Sequence, residues 1–424
     1  MKVAIIVNKS WNVINFRLGL IRELMISGHE VVTITSEDDY TSRLHDLKIR
    51  NIAVPLDAKG KHPGRDLLLI WRYWCFLKHE KPDVCLTYTI KPNIYGSLAA
   101  HALGIPVIST ITGLGEVYGR ENLLSKTVSQ LYKYVFSRSS KVFFQNGENL
   151  QMFLSKGLIQ KKKAIEVPGS GVDLEHFYLS QRPFSKEKFR FLFIGRLLWD
   201  KGIAEFVEAA RMIRKKRQDV EFCLLGFIEQ DRVSAVSPKH IEDWEKEEVV
   251  KYLGATGDVR EDIERADCVV LPSFYGEGTP RSLLEAAAMG RPIITTDSIG
   301  CRNTVDDGVN GFLCKPRNPE DLARKMQRMT ELTLSERTEM GYNGRSKMVD
   351  EFDEGIVIVK YCKAIKEIKS EACGEKYVNG QSSPLGKKEK NNGLPRKVAF
   401  EKPKNSVRGS YQRKVRIKSV KKHF

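Results

Sequence analysis

Short apolar runs punctuate this chain, each bounded by polar residues and followed by a stretch with helical spacing. In the first half they fall at residues 3–8, 30–35, 84–87, 107–110 and 141–145, and residues 16–27 carry helix-period apolar positions that end near Gly28. Brief runs that are apolar throughout predict strands of a parallel sheet covered on both faces, because a half-exposed strand would alternate. After a break at residues 168–173 the pattern restarts. Strands are expected at 189–194, 221–225, 249–253, 268–272 and 292–295, with helices between them such as 204–216, and residues 352–368 supply a last helix. The pattern predicts an α/β protein of two doubly wound Rossmann-like domains, residues 1–170 and 171–370, whose strand carboxyl ends face a common cleft.

Composition bounds this picture without changing it. A chain of 424 residues with 41% hydrophobic content suits two cores of that kind. No apolar run approaches the ~18 residues a membrane-spanning helix needs, and the N-terminal residues lack the pattern of a signal peptide. The eight cysteines are scattered without metal-ligand spacing. These features predict a cytoplasmic protein. Charge adds a third region. The net charge is +17, and most of the excess lies after Lys376. Residues 371–424 are expected to be a basic, disordered tail, either solvated or drawn to an anionic membrane surface. The tail has no interleaved aromatics, so no nucleic-acid partner is expected.

Candidate chemistry concentrates after the apolar run at 268–272. There the chain reads Phe274-Tyr275-Gly276-Glu277-Gly278-Thr279-Pro280-Arg281-Ser282-Leu283-Leu284-Glu285. The glycines and Thr279-Pro280 precede a predicted helix over 282–289, stopped by Gly290 and Pro292. Free N–H groups and the dipole at such a helix start favour an anion. Glu277 stands before that site and Glu285 inside the helix behind it. Carboxylates accept hydrogen bonds from sugar hydroxyls, so a nucleotide-sugar matches both halves of the arrangement; a solvated loop acid beside an unrelated helix acid is the plainer alternative.

Other elements decide between these. The pair Glu277 and Glu285 resembles the E-x7-E element of retaining GT-B glycosyltransferases of family four. Phe191-Leu192-Phe193-Ile194-Gly195-Arg196, with Lys201-Gly202 following, resembles the strand–GR–x4–KG element that opens the second domain in that family. Gly308-Val309-Asn310-Gly311-Phe312-Leu313 and Gly171-Val172-Asp173 supply two more matching stretches. The resemblance covers roughly residues 1 to 370. It implies a GT-B fold with the final helix returning to the first domain, and an enzyme that transfers a sugar from a nucleotide donor. It gives Arg196 and Lys201 the donor diphosphate, Glu285 the ribose hydroxyls and Glu277 the donor-sugar hydroxyls, with Glu277 as a covalent nucleophile the less favoured role. Gly195, Gly278, Thr279, Pro280, Arg281 and Ser282 complete the expected donor site, and the nucleotide base is expected near the loops after Leu225 and at 254–259. Arg196, Lys201 and a helix start can do a metal's electrostatic work, and neither a metal nor an organic cofactor is expected.

The first domain is expected to hold the acceptor. Its W-N-x-x-N-F-R, T-I-K-P-N and T-G-L-G patterns, at residues 11–17, 89–93 and 112–115, resemble the bacterial subgroup that extends undecaprenyl-diphosphate-linked sugars for O-antigen, capsule, lipopolysaccharide or other glycan assembly. Asn15, Arg17, Lys91, Asn93, Thr112 and Gly113 are the acceptor-site candidates, with Arg17 or Lys91 meeting the lipid diphosphate or simply supporting the fold. The loop at 8–17 lacks the Gly-Gly of many relatives. Residues 66–78 carry aromatic, leucine and basic side chains that suit either a helix packed on the sheet or one resting at a bilayer interface. The expected function is hexosyl or N-acetylhexosaminyl transfer from a UDP-sugar to a polyprenyl-diphosphate-linked saccharide at the inner face of the cytoplasmic membrane. Its rivals are transfer to a soluble acceptor, a sugar-nucleotide 2-epimerase, and a nucleotide-sugar-binding protein without turnover.

Overall fold

The structure, a computed structural model, describes residues 1–56, 63–114, 123–184, 188–229 and 234–372. The tail expected from residue 371 onward therefore lies outside the described residues save for its first two, as does Gly115.

The first lobe is built on seven parallel strands: β1 Lys2–Lys9, β2 Glu30–Ser36, β3 Arg50–Ala53, β4 Val84–Tyr88, β5 Val107–Ile111, β6 Lys141–Phe144 and β7 Ala164–Glu166, in the order β3-β2-β1-β4-β5-β6-β7. The second has six: β8 Phe189–Ile194, β9 Val220–Leu225, β10 Lys251–Tyr252, β11 Cys268–Leu271, β12 Ile293–Thr296 and β13 Gly311–Cys314, in the order β10-β9-β8-β11-β12-β13. Every strand pairing is parallel. The central strands are buried at nearly every position because helices cover both faces, as their unbroken apolar runs require. In each sheet the order reverses beside the first strand, between β1 and β4 and between β8 and β11. A crevice opens there beyond the strand carboxyl ends, where doubly wound sheets bind ligands.

Local departures from the sequence expectation have identifiable causes. The helix expected over 16–27 starts two residues later and follows another helix; the two, Ser10–Phe16 and Leu18–Ile26, are separated at Arg17, whose φ of −131° and ψ of −3° leave the helical region. The first of them occupies most of the stretch read as a loop. The strand expected at 249–253 contracts to Lys251–Tyr252, which has one neighbour, β9, to extend it. The final helix, Glu354–Ala372, returns to the first lobe, where Val357, Tyr361, Ala364, Ile365 and Ile368 join the core. Tyr361 stacks on Phe143 at 4.3 Å and its hydroxyl lies 2.6 Å from Thr110 Oγ1.

Candidate active site

The crevice between β8 and β11 gathers charged side chains from two separate loops. Gly195 ends β8 and bonds Leu225, and Arg196 follows it. A turn at Trp199–Lys201 then directs Lys201 inward, where it is only 9% exposed. Gly202 makes this turn possible. Its φ is +78°, and a Cβ there would lie 2.1 Å from the carbonyl oxygen of Pro272, so only glycine lets the β8 loop lie against the β11 loop. Lys201 Nζ ion-pairs with Glu277 Oε1, the same oxygen that accepts a 3.0 Å bond from Ser273 Oγ. The Tyr275 ring draws the two cations together: its centroid is 5.4 Å from Lys201 Nζ and 6.0 Å from Arg196 Cζ. Arg196 also pairs with Glu229 at 3.2 Å.

The helix behind the loop runs Arg281–Ala288 and buries Leu283, Leu284, Ala286, Ala287 and Ala288. Pro280, in extended backbone, occupies the N-cap position and its side chain caps nothing. The N–H groups of Arg281 and Ser282 therefore start the helix without an intrahelical partner. Glu285 lies on the face away from the core, and its carboxylate accepts from Arg281 Nε at 3.0 Å. Burial pushes the Glu285 carboxyl above the usual range; the Arg281 charge and hydrogen bond oppose this, and the Asp258 charge adds to it.

The first lobe meets this loop directly. Gly113 and Glu277 form an isolated antiparallel bridge. Asn146 Nδ2 donates to the Gly278 carbonyl at 2.7 Å, and Thr279 Oγ1 to the Gln145 carbonyl at 3.1 Å. Gly113 has a φ of +119°, and a Cβ on it would lie 2.7 Å from the Gly278 nitrogen. The Thr112 carbonyl is as close, 2.6 Å from where a Gly278 Cβ would stand. Elsewhere Trp11 meets Phe227 edge to face at 6.2 Å.

The acceptor-side candidates separate under this geometry. Arg17 is 5% exposed, lies flat against Tyr88 at 4.0 Å, and has no carboxylate partner among the described residues. Lys91, by contrast, is held at 2.7 Å by Asp66, which also accepts from the Tyr95 hydroxyl. Asn15 bonds back to the Trp11 carbonyl within its own helix. Asn93 must be corrected: it is 1% exposed, donates to the Thr110 carbonyl and accepts from Thr87, so it ties β4 to β5 and presents nothing to a ligand. Thr112 and Gly113 lie at the seam between the lobes.

Sequence reasoning missed Ser273, Tyr275, Glu229, Gln145 and Asn146. Asn146 is also the N-cap of the helix Gly147–Ser155, and a capping signal conceals a second role across the cleft. Among the described residues no group of His, Cys, Asp or Glu is arranged to hold a metal ion.

Comparison with known proteins agrees with this architecture. Residues 177–347 match the model "Glycosyl transferases group 1" and residues 15–157 match "Glycosyl transferase 4-like domain". The chain is 28% identical over 379 residues to the N,N'-diacetylbacillosaminyl-diphospho-undecaprenol alpha-1,3-N-acetylgalactosaminyltransferase of Campylobacter jejuni, covering 86% of this chain and 98% of that one. It is 26% identical over 339 residues to the UDP-Gal:alpha-D-GlcNAc-diphosphoundecaprenol alpha-1,3-galactosyltransferase of Escherichia coli, covering 76% and 84%. Among solved structures, Anabaena HepE in complex with UDP superposes with a TM-score of 0.69 at 19% identity, over 87% of this chain and all of that one, a likeness of fold. Two lobes that meet over the E-x7-E loop, each matched by its own family model, show that this chain belongs to the family-four GT-B glycosyltransferases.

Proposed function

We propose that this glycosyltransferase moves a hexose or N-acetylhexosamine from a UDP-sugar onto an undecaprenyl-diphosphate-linked saccharide, with retention at the anomeric carbon. One observation carries the reading: Arg196 and Lys201 converge on the Tyr275 ring beside Glu277, in the loop leading into the helix Arg281–Ala288. The two enzymes named above act on diphospho-undecaprenol-linked acceptors, and this chain spans most of their length.

In the reaction the bond between the anomeric carbon and the β-phosphate oxygen breaks, and its electron pair leaves with UDP. Arg196, Lys201 and the helix-start N–H groups stabilise the negative charge that grows on the diphosphate. The acceptor hydroxyl attacks from the side the leaving group vacates, and its proton passes to a phosphate oxygen. Glu277 Oε1 is engaged by Lys201 and Ser273, which leaves Oε2 for a donor-sugar hydroxyl. A carboxylate tied to an ammonium is a weak nucleophile, which favours hydroxyl binding over a covalent intermediate. Glu285 binds the ribose hydroxyls. In the other lobe Arg17, buried and with no acid partner among the described residues, suits the lipid diphosphate better than Lys91.

The acceptor's lipid calls for a membrane-facing surface. The helix Pro63–Glu80 buries Leu69, Tyr73 and Leu77 yet exposes Leu67 by 68%, Trp71 by 59% and Leu68 by 43%. Asp66, in its first turn, reaches Lys91 and Tyr95 just beyond β4, so the patch lies near the rim of the crevice. No helix among the described residues is long and apolar enough to cross a membrane. The patch supports peripheral attachment at the cytoplasmic face, aided by the basic tail.

The test is a screen of purified protein with UDP-hexoses and UDP-N-acetylhexosamines against a panel of undecaprenyl-diphosphate saccharides, read by mass spectrometry, with and without chelator. Formation of UDP and an elongated lipid-linked α-product, at the same rate in chelator, is expected. Transfer to soluble acceptors only, sugar-nucleotide interconversion without an acceptor, or chelator-sensitive activity restored by magnesium would overturn the corresponding part.

A further inference from the structure

Arg281 stands at the start of the helix Arg281–Ala288, where a donor phosphate contact would be expected of an arginine. Its guanidinium instead turns along the helix to Glu285, one turn on, and both side chains are largely withdrawn from solvent at 15% and 14% exposure. Two rings hold it there. The centroid of Phe16, from the first lobe, is 5.8 Å from Arg281 Cζ, and that of Phe177 is 5.9 Å away on the second-lobe side. Phe16 is in turn braced edge to face by Trp11 at 5.1 Å, and Trp11 meets Phe227 of the second lobe.

We propose that Arg281 is a positioning residue: it keeps the buried Glu285 carboxylate ionised and aimed at the nucleotide's ribose, and Phe16 from the opposite lobe clamps it in that role. The inference rests on the ribose role of Glu285 proposed above. A carboxylate accepts from both hydroxyls of a vicinal diol only while it is charged, and burial favours its protonated form. The charges facing Glu285 are Arg281 from its own helix and Asp258 from the loop before the helix Arg260–Arg265. Asp258 raises the proton affinity of Glu285 and Arg281 lowers it, so Arg281 is the group that favours the charged, accepting form. His176 and Glu354 also feel the Arg281 charge, which lowers the proton affinity of each. An i,i+4 pair exposed to water contributes only a few tenths of a kcal/mol, so a pair buried beneath two aromatic rings points to a local task rather than to helix stability.

The experiment measures UDP affinity by calorimetry from about pH 5.5 to about pH 8.5 for the wild type, Arg281→Met, Arg281→Lys, Glu285→Gln and the double variant Arg281→Met/Glu285→Gln, with thermal unfolding confirming that each is folded. The wild type should show only the dependence set by the terminal phosphate of UDP, which takes up a proton at about pH 6, and every variant's profile is read relative to it. Arg281→Met should bind UDP on the order of tenfold more weakly, the scale of one charge-assisted hydrogen bond, and lose further affinity as pH falls and Glu285 takes up a proton. Arg281→Lys should restore most of the affinity and flatten the profile. Glu285→Gln should be weak and flat, and adding Arg281→Met to it should change nothing more. Additive losses in the double variant would place Arg281 on the donor itself and overturn the inference. So would a pH-independent Arg281→Met with wild-type affinity beside a weakened Glu285→Gln, and in both cases the ribose assignment survives. Undiminished binding by Glu285→Gln sinks the ribose assignment and the inference together.

Discussion

Arg196 and Lys201 reach the same tyrosine ring from opposite ends of one loop, and each arrives already paired with an acid, Glu229 and Glu277. A diphosphate entering this site exchanges one anionic partner for another, and its gain comes from the charge that grows on the leaving group. Arg196→Ala and Lys201→Met should therefore lower kcat by about a hundredfold to a thousandfold, the loss typical of one oxyanion donor, with a smaller effect on KM. A folded variant whose turnover in the transfer assay stays near wild type would remove that side chain from the mechanism. These two positions were legible because the motif places a cation directly after a strand and another in the following turn. Glu229 and Tyr275 were not, since nothing in a local pattern tells which distant side chain a loop will meet. Asn93 failed for a related reason. Its motif lies beyond a strand end, but burial turned both of its polar groups to the strands beside it.

Elements were legible in proportion to their burial. The central strands are mostly apolar and declared themselves, whereas the edge strands β3 and β7 include Arg50, Asn51 and Glu166, and their polar residues hide the run. The helix Ser10–Phe16 was missed because its stretch was read as a loop, and Arg17, which separates it from the next helix, packs on Tyr88. Gly202 shows how an element boundary serves the site. Replacing it with alanine forces a side chain into left-handed backbone and against the Pro272 carbonyl. Gly202→Ala should cost about 1–3 kcal/mol from backbone strain alone, read as a lowered Tm, and should depress kcat further by shifting Lys201. Unchanged stability and activity would mean the two loops need not lie this close.

At the scale of the molecule, the lobes meet through the Gly113–Glu277 bridge and the Asn146 and Thr279 hydrogen bonds, beside the donor-sugar and acceptor positions proposed above. Leu67, Leu68 and Trp71 stand exposed on the first lobe, and the membrane role proposed for them is testable. Leu67→Ser/Trp71→Ser should weaken sedimentation with anionic vesicles while leaving transfer to a water-soluble acceptor analogue intact, because interfacial binding scales with the apolar area inserted. Removing the chain after residue 376 should weaken the same binding in a salt-sensitive way. Vesicle affinity unchanged in both variants would leave this face and the tail without a membrane role.

The sequence by itself determined the two parallel sheets, the cleft at their strand carboxyl ends and the family, because buried strands, helix starts and the spacing of a motif are local properties written in consecutive residues. Only the tertiary structure decided which side chains face one another: Lys201 with Glu277, Asn146 with Gly278, Arg281 with Glu285, Lys91 engaged by Asp66 while Arg17 meets no acid among the described residues. Most of those partners lie far apart along the chain. Their meeting follows from how loops pack within each lobe and, for Asn146 and Gly278, between the two lobes, and chain order records that only indirectly.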